Sequence, residues 1–159
     1  AEAGGGIEMV QQWRLTSNFT GYQSPIASNW EIVDTNGYGG IGSSMTESSG
    51  VFTFPSTGIY QIDFRSYFYL PSGDTRIIEH QIFATTDNSS YSQASSSATF
   101  IQNTAGATTY SEAQCSHIFD VTNTSTHKVR FAGGDGSVNT VGDTNITRTS
   151  IIFTRLGDT

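Results

Sequence analysis

The stretch Gly50-Val51-Phe52-Thr53-Phe54-Pro55-Ser56-Thr57-Gly58-Ile59-Tyr60-Gln61-Ile62-Asp63-Phe64-Arg65-Ser66-Tyr67-Phe68-Tyr69-Leu70 decides the fold. A short strand over residues 51–54 stops at Pro55, because proline has no N–H to give to a sheet ladder. Ser56-Thr57-Gly58 supplies a turn in which Gly58 is free to take a positive φ. A longer strand then runs over residues 59–70. Side chains alternate across a strand, so Tyr60, Ile62, Phe64, Ser66 and Phe68 share one face and Gln61, Asp63, Arg65, Tyr67 and Tyr69 the other. The first face reads as sandwich core. The second is charged and aromatic together, which suits contact with another chain better than contact with bulk water.

Composition agrees with an all-β chain of one domain. The sequence has 159 residues, enough for a real core, and only 13% are charged, against roughly 25% in an average protein. Ser, Thr, Asn and Gly fill the polar positions, and they suit strand surfaces and turns. No window carries apolar residues at sustained helical spacing. The net charge is −7 and Lys128 is the only lysine. A nucleic-acid binder needs a basic face to neutralise phosphates, so that class is excluded, and an anionic membrane surface is disfavoured for the same reason. No apolar run approaches the roughly 18 residues of a membrane-spanning helix, so membrane insertion is not expected. Cys115 is the only cysteine, which leaves no intrachain disulfide. It sits in a strand-like run, where a free cysteine reads as a small buried apolar residue rather than a catalytic thiol.

Residues 1–6, Ala1-Glu2-Ala3-Gly4-Gly5-Gly6, read as a flexible lead-in, a tether from something upstream. Residues 7–159 read as a single domain. Strands are expected over residues 7–15, with Trp13 as an anchor, and over 30–33. Residues 16–28 read as turns and 38–42 as a glycine-rich loop. Further strands follow over 76–84, whose inward face is left open, over 91–101 and over 108–121. Residues 128–132 read as the second arm of a hairpin with the preceding strand. The final strand is expected over 145–156, with apolar residues on both faces that imply a central strand covered on both sides. About eight to ten short strands separated by turn signals mark an antiparallel sandwich or jelly roll.

Three segments resemble the C1q/tumour-necrosis-factor-like jelly roll. Phe52-Thr53-Phe54-Pro55-Ser56-Thr57-Gly58-Ile59-Tyr60-Gln61-Ile62-Asp63-Phe64 is similar to that family's aromatic strand, turn and following Gly-x-Tyr-x-Phe strand. Ile118-Phe119-Asp120-Val121, a polar turn and Lys128-Val129-Arg130-Phe131 resemble its penultimate hairpin, and Ser150-Ile151-Ile152-Phe153 its closing strand. The resemblance implies a homotrimer, in which the inner sheet buries one face in the sandwich core and the other against neighbouring subunits. It places Gln61, Asp63, Arg65, Tyr67, Ile152 and Thr154 at the trimer interface, with Asp63 and Arg65 able to pair either between subunits or within one chain. No collagen-like Gly-x-y repeat is present. The Ser/Thr/Asn/Gly-rich, lysine-poor texture is instead similar to structural proteins of tailed bacteriophages, marine ones especially, in which C1q-like domains cap fibres or decorate particles.

The residues give little sign of catalysis. His80, His117 and His127 lack the close spacing of zinc ligands, and no Gly-x-Ser-x-Gly elbow is present. Asp34, Asp74, Asp87, Asp135 and Asp143 lie at turns, where aspartate commonly bonds the local backbone, rather than reading as the paired acids of a glycosidase. No cofactor is expected. Calcium is the one metal left open, through oxygen ligands on the loops of Asp135, Asn139 and Asp143. Sequons at Asn18, Asn88, Asn123 and Asn145 are a by-product of the composition. Tyr22, Tyr38, Tyr91 and Tyr110, placed in loops with Asn and Ser, are candidate recognition residues for a sugar or receptor.

The leading expectation is a non-enzymatic virion structural protein: a trimeric fibre knob or capsid decoration on the particle surface. It would join other virion proteins through its N-terminal side and contact the host surface, with host-surface glycan a candidate partner. The alternative is a monomeric carbohydrate-binding module of a secreted or cell-surface bacterial protein, and a glycan-cleaving tip enzyme stands third.

Overall fold

The computed structural model describes residues 6–159. The lead-in read over residues 1–6 therefore lies, but for the exposed Gly6, outside the described residues. Twelve strands and no helix are present among them: β1 (Met9–Leu15), β2 (Phe19–Thr20), β3 (Trp30–Ile32), β4 (Thr46–Ser48), β5 (Val51–Thr53), β6 (Gly58–Leu70), β7 (Thr75–Thr85), β8 (Ser92–Ile101), β9 (Thr109–Val121), β10 (Lys128–Gly134), β11 (Asn139–Thr140) and β12 (Ser150–Gly157).

They form two antiparallel sheets packed face to face. One has seven strands in the order β2-β11-β6-β12-β1-β3, with β9 on the free edge of β6; the other has five, β4-β5-β10-β7-β8. The thirteen-residue β6 is the spine. Along one edge it pairs with β12 over Ile59 to Arg65 and then with β11 at Phe68 and Tyr69. Along the other it pairs with β9 over its whole length. Gly58 opens this strand at φ +148, and a Cβ there would meet the Gly157 carbonyl oxygen at 2.7 Å. Only glycine fits such a position without strain.

The alternation read in β6 holds: Tyr60, Ile62, Phe64, Ser66 and Phe68 are completely buried. Phe52 from β5 sits at the centre of the larger core, edge-on to Trp13 (5.2 Å between ring centroids) and Phe131 (5.4 Å). Edge-to-face rings of this kind add to the stability gained from burial alone. A smaller core of Phe68, Leu70, Ile78, Ile101, Ala113 and Val138 fills the far end. In β7 the inward face is Ile78, His80 and Ile82, all fully buried.

Several expectations need correction. The hairpin read across residues 122–126 does not form. β9 bonds to β6 in the seven-stranded sheet, whereas β10 bonds to β5 and β7 in the other. Both arms carry residues that must face the shared interior, Phe119 and Val121 on one and Val129 and Phe131 on the other, so the connection crosses between sheets. The last strand begins at Ser150, not at residue 145. The Asp143 carboxylate accepts the N–H groups of Asn145 and Ile146, which holds that segment in a turn. β12 is central in its sheet, between β6 and β1, but the described residues cover it on one face only: Ile151 and Phe153 are fully buried while Ile152 is half-buried. β2 and β4, two and three residues long, are too short to leave a periodic signal.

Candidate interaction surfaces

The outward face of the seven-stranded sheet is built by strand register. On β6 it presents Gln61, Asp63, Arg65, Tyr67 and Tyr69. Opposite them β9 sets Ile118, Ser116, Gln114, Glu112 and Tyr110, and β12 sets Thr154, Ile152 and Ser150. The six candidate interface residues thus share one face. Among the described residues no element lies across its centre, and Tyr110 and Ile118 are 55% and 54% exposed. Arg65 pairs with Glu112 at 3.5 Å, a diagonal contact between neighbouring strands, while Asp63 accepts from the Gln61 amide at 3.0 Å. Asp63 and Arg65 therefore have separate partners within the chain.

Tyr110 differs from its expected setting, since it lies inside β9 rather than in a loop. Register brings it to Tyr69 and Tyr67. Its ring stacks on Tyr67 at 5.6 Å with 16° between planes and leans on Tyr69 at 5.9 Å. The Arg148 guanidinium stands over the Tyr67 ring, 5.5 Å from its centre. One interface candidate and one recognition candidate thus belong to a single aromatic cluster on the sheet face.

The upper margin of this face is pinned by Arg14, whose side chain is completely buried. It pairs with Glu31 and Asp34, both at 2.7 Å, donates to Thr35 Oγ1 at 2.8 Å and also reaches the Thr144 carbonyl oxygen. These bonds draw the loops after β3 and β11 onto β1. Tyr38 lies beside them, its hydroxyl accepting the Gln12 N–H at 3.1 Å. It borders a small pocket lined by Gln12, Asn36 and Thr147.

A second surface lies on the outward face of the five-stranded sheet. Here β10 presents Arg130, and β7 presents Phe83, Gln81 and Glu79; Arg130 is opposite Phe83 in the ladder. Two peripheral segments complete it. Residues 21–26 run along the upper part of β10, with Gln23 and Gly133 exchanging backbone bonds at 3.0 Å and the Ile26 N–H donating to Phe131 O at 2.8 Å. This strap delivers Tyr22, whose hydroxyl donates to Gln81 Oε1 at 2.7 Å. The turn after β7 delivers Tyr91. Its organiser is Asp87, which accepts from the Thr85 hydroxyl and from the N–H groups of Ser89 and Ser90. Those donors hold its carboxyl well below the usual carboxylate range. Tyr91 then covers the Arg130 guanidinium at 4.2 Å from its ring centre, with Phe83 at 5.5 Å. Partial burial raises the Tyr91 phenol's pKa, so it stays neutral.

The four tyrosines therefore do not form one site. Tyr22 and Tyr91 share the five-stranded sheet's outer surface, Tyr110 belongs to the seven-stranded sheet, and Tyr38 sits at that sheet's margin. Sequence reading missed Arg130, Gln81 and Gln93 as partners of Tyr22 and Tyr91. The alternation of Arg130 with Val129 and Phe131 signals that it points outward, but nothing local signals the rings beside it.

Chemistry elsewhere is sparse. Among the described residues no three His, Cys, Asp or Glu side chains are placed to hold a metal ion. The three side chains considered for calcium face separate partners: Asp135 accepts from Thr75, Asn139 from Thr20, and Asp143 from its own turn. Cys115 is buried and its thiol is pushed up to about 11 by that burial, so little thiolate exists at neutral pH.

No protein-family model matches the sequence, and no curated protein matches it. Solved structures do match the fold. Eiger TNF from S. frugiperda superposes with a TM-score of 0.67 at 12% identity, covering 97% of this chain and 96% of its own. Murine APRIL, in a crystal structure at pH 8.5, gives 0.63 at 11% identity, covering 93% of this chain and 98% of its own. The fold is accordingly an antiparallel, TNF-like jelly roll, and at such identities the likeness speaks for the fold alone.

Proposed function

We propose that this chain is a non-enzymatic, trimeric structural domain of a bacteriophage virion, a fibre knob or capsid decoration that meets the host surface. The observation that carries the reading is the outward face of the seven-stranded sheet. Ile118, Ile152, Tyr67, Tyr69 and Tyr110 make it broad and partly apolar, and among the described residues nothing covers its centre. A patch of this kind on a soluble domain marks a protein–protein contact. The adjacent edge supports the same reading. β8, the edge of the five-stranded sheet, is ten residues long without a single charged side chain, and Phe100 within it is 62% exposed. Free edges are ordinarily guarded by charges, so an unguarded one suits burial in an assembly. Gln61, Asp63, Arg65, Tyr67, Ile152 and Thr154 are assigned to the interface on this basis. The turn roles of Asp87 and Asp143, and the pairing of Glu31 and Asp34 with Arg14, favour a structural use of the acids over a catalytic one.

Native mass spectrometry tests the assembly. The expected mass is three times 17.1 kDa, and Ile152→Asp, which sets a charge in the middle of the sheet face, is expected to yield monomer. A wild-type monomer at high concentration would overturn the trimer and favour the monomeric carbohydrate-binding module. Repeating the measurement with chelator reports on calcium at the same time.

A further inference from the structure

Arg130 is a cation without a counter-ion in a chain of net charge −7. Among the described residues Arg14, Arg65 and Arg155 each have a carboxylate within ion-pair distance, whereas Arg76, Arg130 and Arg148 do not. Of these three, Arg130 is the one whose Nε is buried with no hydrogen-bond partner. Its guanidinium is instead held flat by Tyr91 and Phe83. Rings on an arginine fix its plane and strip part of its hydration while leaving its charge unspent. The surroundings are hydrogen-bonding groups arranged as a chain: the Tyr22 hydroxyl donates to Gln81, and the Gln81 amide donates to Gln93 Oε1 at 3.1 Å and to the Glu79 carboxylate at 3.3 Å. Gln93 is exposed, and so is part of Tyr22.

We infer that this face of the five-stranded sheet binds a carboxylated sugar unit of a surface glycan. The Arg130 guanidinium takes the carboxylate, the exposed amide of Gln93, held by Gln81, takes ring hydroxyls, and the exposed rim of Tyr22 offers an apolar edge to the sugar's C–H face. A guanidinium presents parallel N–H groups that match a carboxylate, and its bonds are strengthened by charge on both partners. The face carries two cations, Arg130 and, two residues away, Lys128, whose ammonium already donates to the Thr53 hydroxyl at 2.9 Å; one stacked guanidinium among amides and hydroxyls suits one carboxylate among many hydroxyls. It does not suit a dense polyanion such as a heavily sulfated chain, because Glu79 stands two residues from Gln81 on the same face and accepts from it, and the chain as a whole is acidic. An acidic peptide would need repeated basic contacts, and the second cation of this face, Lys128, is already bound to the Thr53 hydroxyl. The inference rests on the host-contact half of the function proposed above and is independent of the trimer, which uses the opposite sheet.

Isothermal titration with sialyllactose and with tetragalacturonic acid tests it, using lactose and the methyl ester of the second probe as uncharged controls. Saturable binding of at least one acidic probe is expected, with the matched neutral control weaker by about tenfold or more, the loss typical of a charged hydrogen bond. Arg130→Gln is expected to lose a similar factor, and Gln93→Ala, at an exposed position that folding does not need, about threefold. Binding of neither acidic probe, equal binding of the neutral controls, or unchanged binding by a folded Arg130→Gln would each overturn the proposal. The control sugars keep the test decisive even if Arg130→Gln fails to fold. Native masses recorded on the same samples separate the two readings: a trimer that binds neither probe sinks the glycan site and leaves the assembly standing.

Discussion

His80 is the residue at which this sandwich is most exposed to acid. It is completely buried, with its ring stacked on Phe64 at 3.9 Å, its Nε2 within 2.9 Å of the Phe64 carbonyl oxygen and its Nδ1 without a partner. Burial lowers its pKa from 6.5 to about 4. The unfolded chain therefore binds the proton more readily than the folded one between those values. Stability from this residue is full above about pH 6.5, declines as the pH falls toward 4 and is lost below it. The expected loss is on the order of 3 kcal/mol, since each tenfold change in proton affinity is worth about 1.4 kcal/mol. Urea unfolding at fixed protein concentration, at pH 7.5 and pH 4.5, should show most of this decrease, and His80→Phe should flatten it. An unchanged slope in that variant would place the acid sensitivity elsewhere. Asp87 and Asp143 act in a lower window, since their depressed carboxyls give stability that is lost only as the pH falls below the ordinary carboxylate range. The sequence marks His80 as an isolated histidine in an alternating strand, and no more. Apolar residues stand on both faces of that strand, so which face is buried is decided by the sheet beneath and not by the strand itself.

Among the elements, β10 illustrates how one strand serves two partners on a single edge. Its first three residues pair with β5, and its later residues bond to the strap over residues 21–26. Gly134 closes the arrangement at φ +108, where a Cβ would run into the carbonyl oxygen of Gly21. Gly134→Ala is expected to cost about 2–3 kcal/mol, from backbone strain and from displacement of the strap. Thermal melts report the first effect, and loss of protection of the Gln23 amide in hydrogen exchange reports the second. Such local detail separates what sequence reading reached from what it did not. The β6 alternation and its turn were legible because proline, glycine and a period of two act within a few residues. The partner of β10 was not, because a strand's own side chains say which way they point but not which edge finds which neighbour. The Tyr67–Tyr110 stack follows the same logic. Both residues were legible as outward or exposed, yet their contact depends on register across forty-three positions of chain.

For the whole molecule, assembly and stability become one quantity if the sheet face is buried between copies. Mass action then makes the melting temperature rise with protein concentration. The expected result is a concentration-dependent Tm for the wild-type chain and a lower, concentration-independent Tm for Ile152→Asp. A wild-type Tm that stays constant over a hundredfold range of concentration would count against coupled assembly. The antiparallel pairing of β1 with β12, with Met9 opposite Arg155, bears on a different matter. Adjacent strands lie about 4.8 Å apart, so the chain enters and leaves the sandwich side by side at one pole. The turn over residues 71–74 lies at the opposite pole, at the other end of the thirteen-residue β6, roughly 40 Å away at about 3.3 Å per residue. The sandwich is thus a portable cassette: spliced into a surface loop of an unrelated scaffold, it would leave the host's flanking strands undisturbed and carry any peptide grafted at residues 71–74 well clear of the junction.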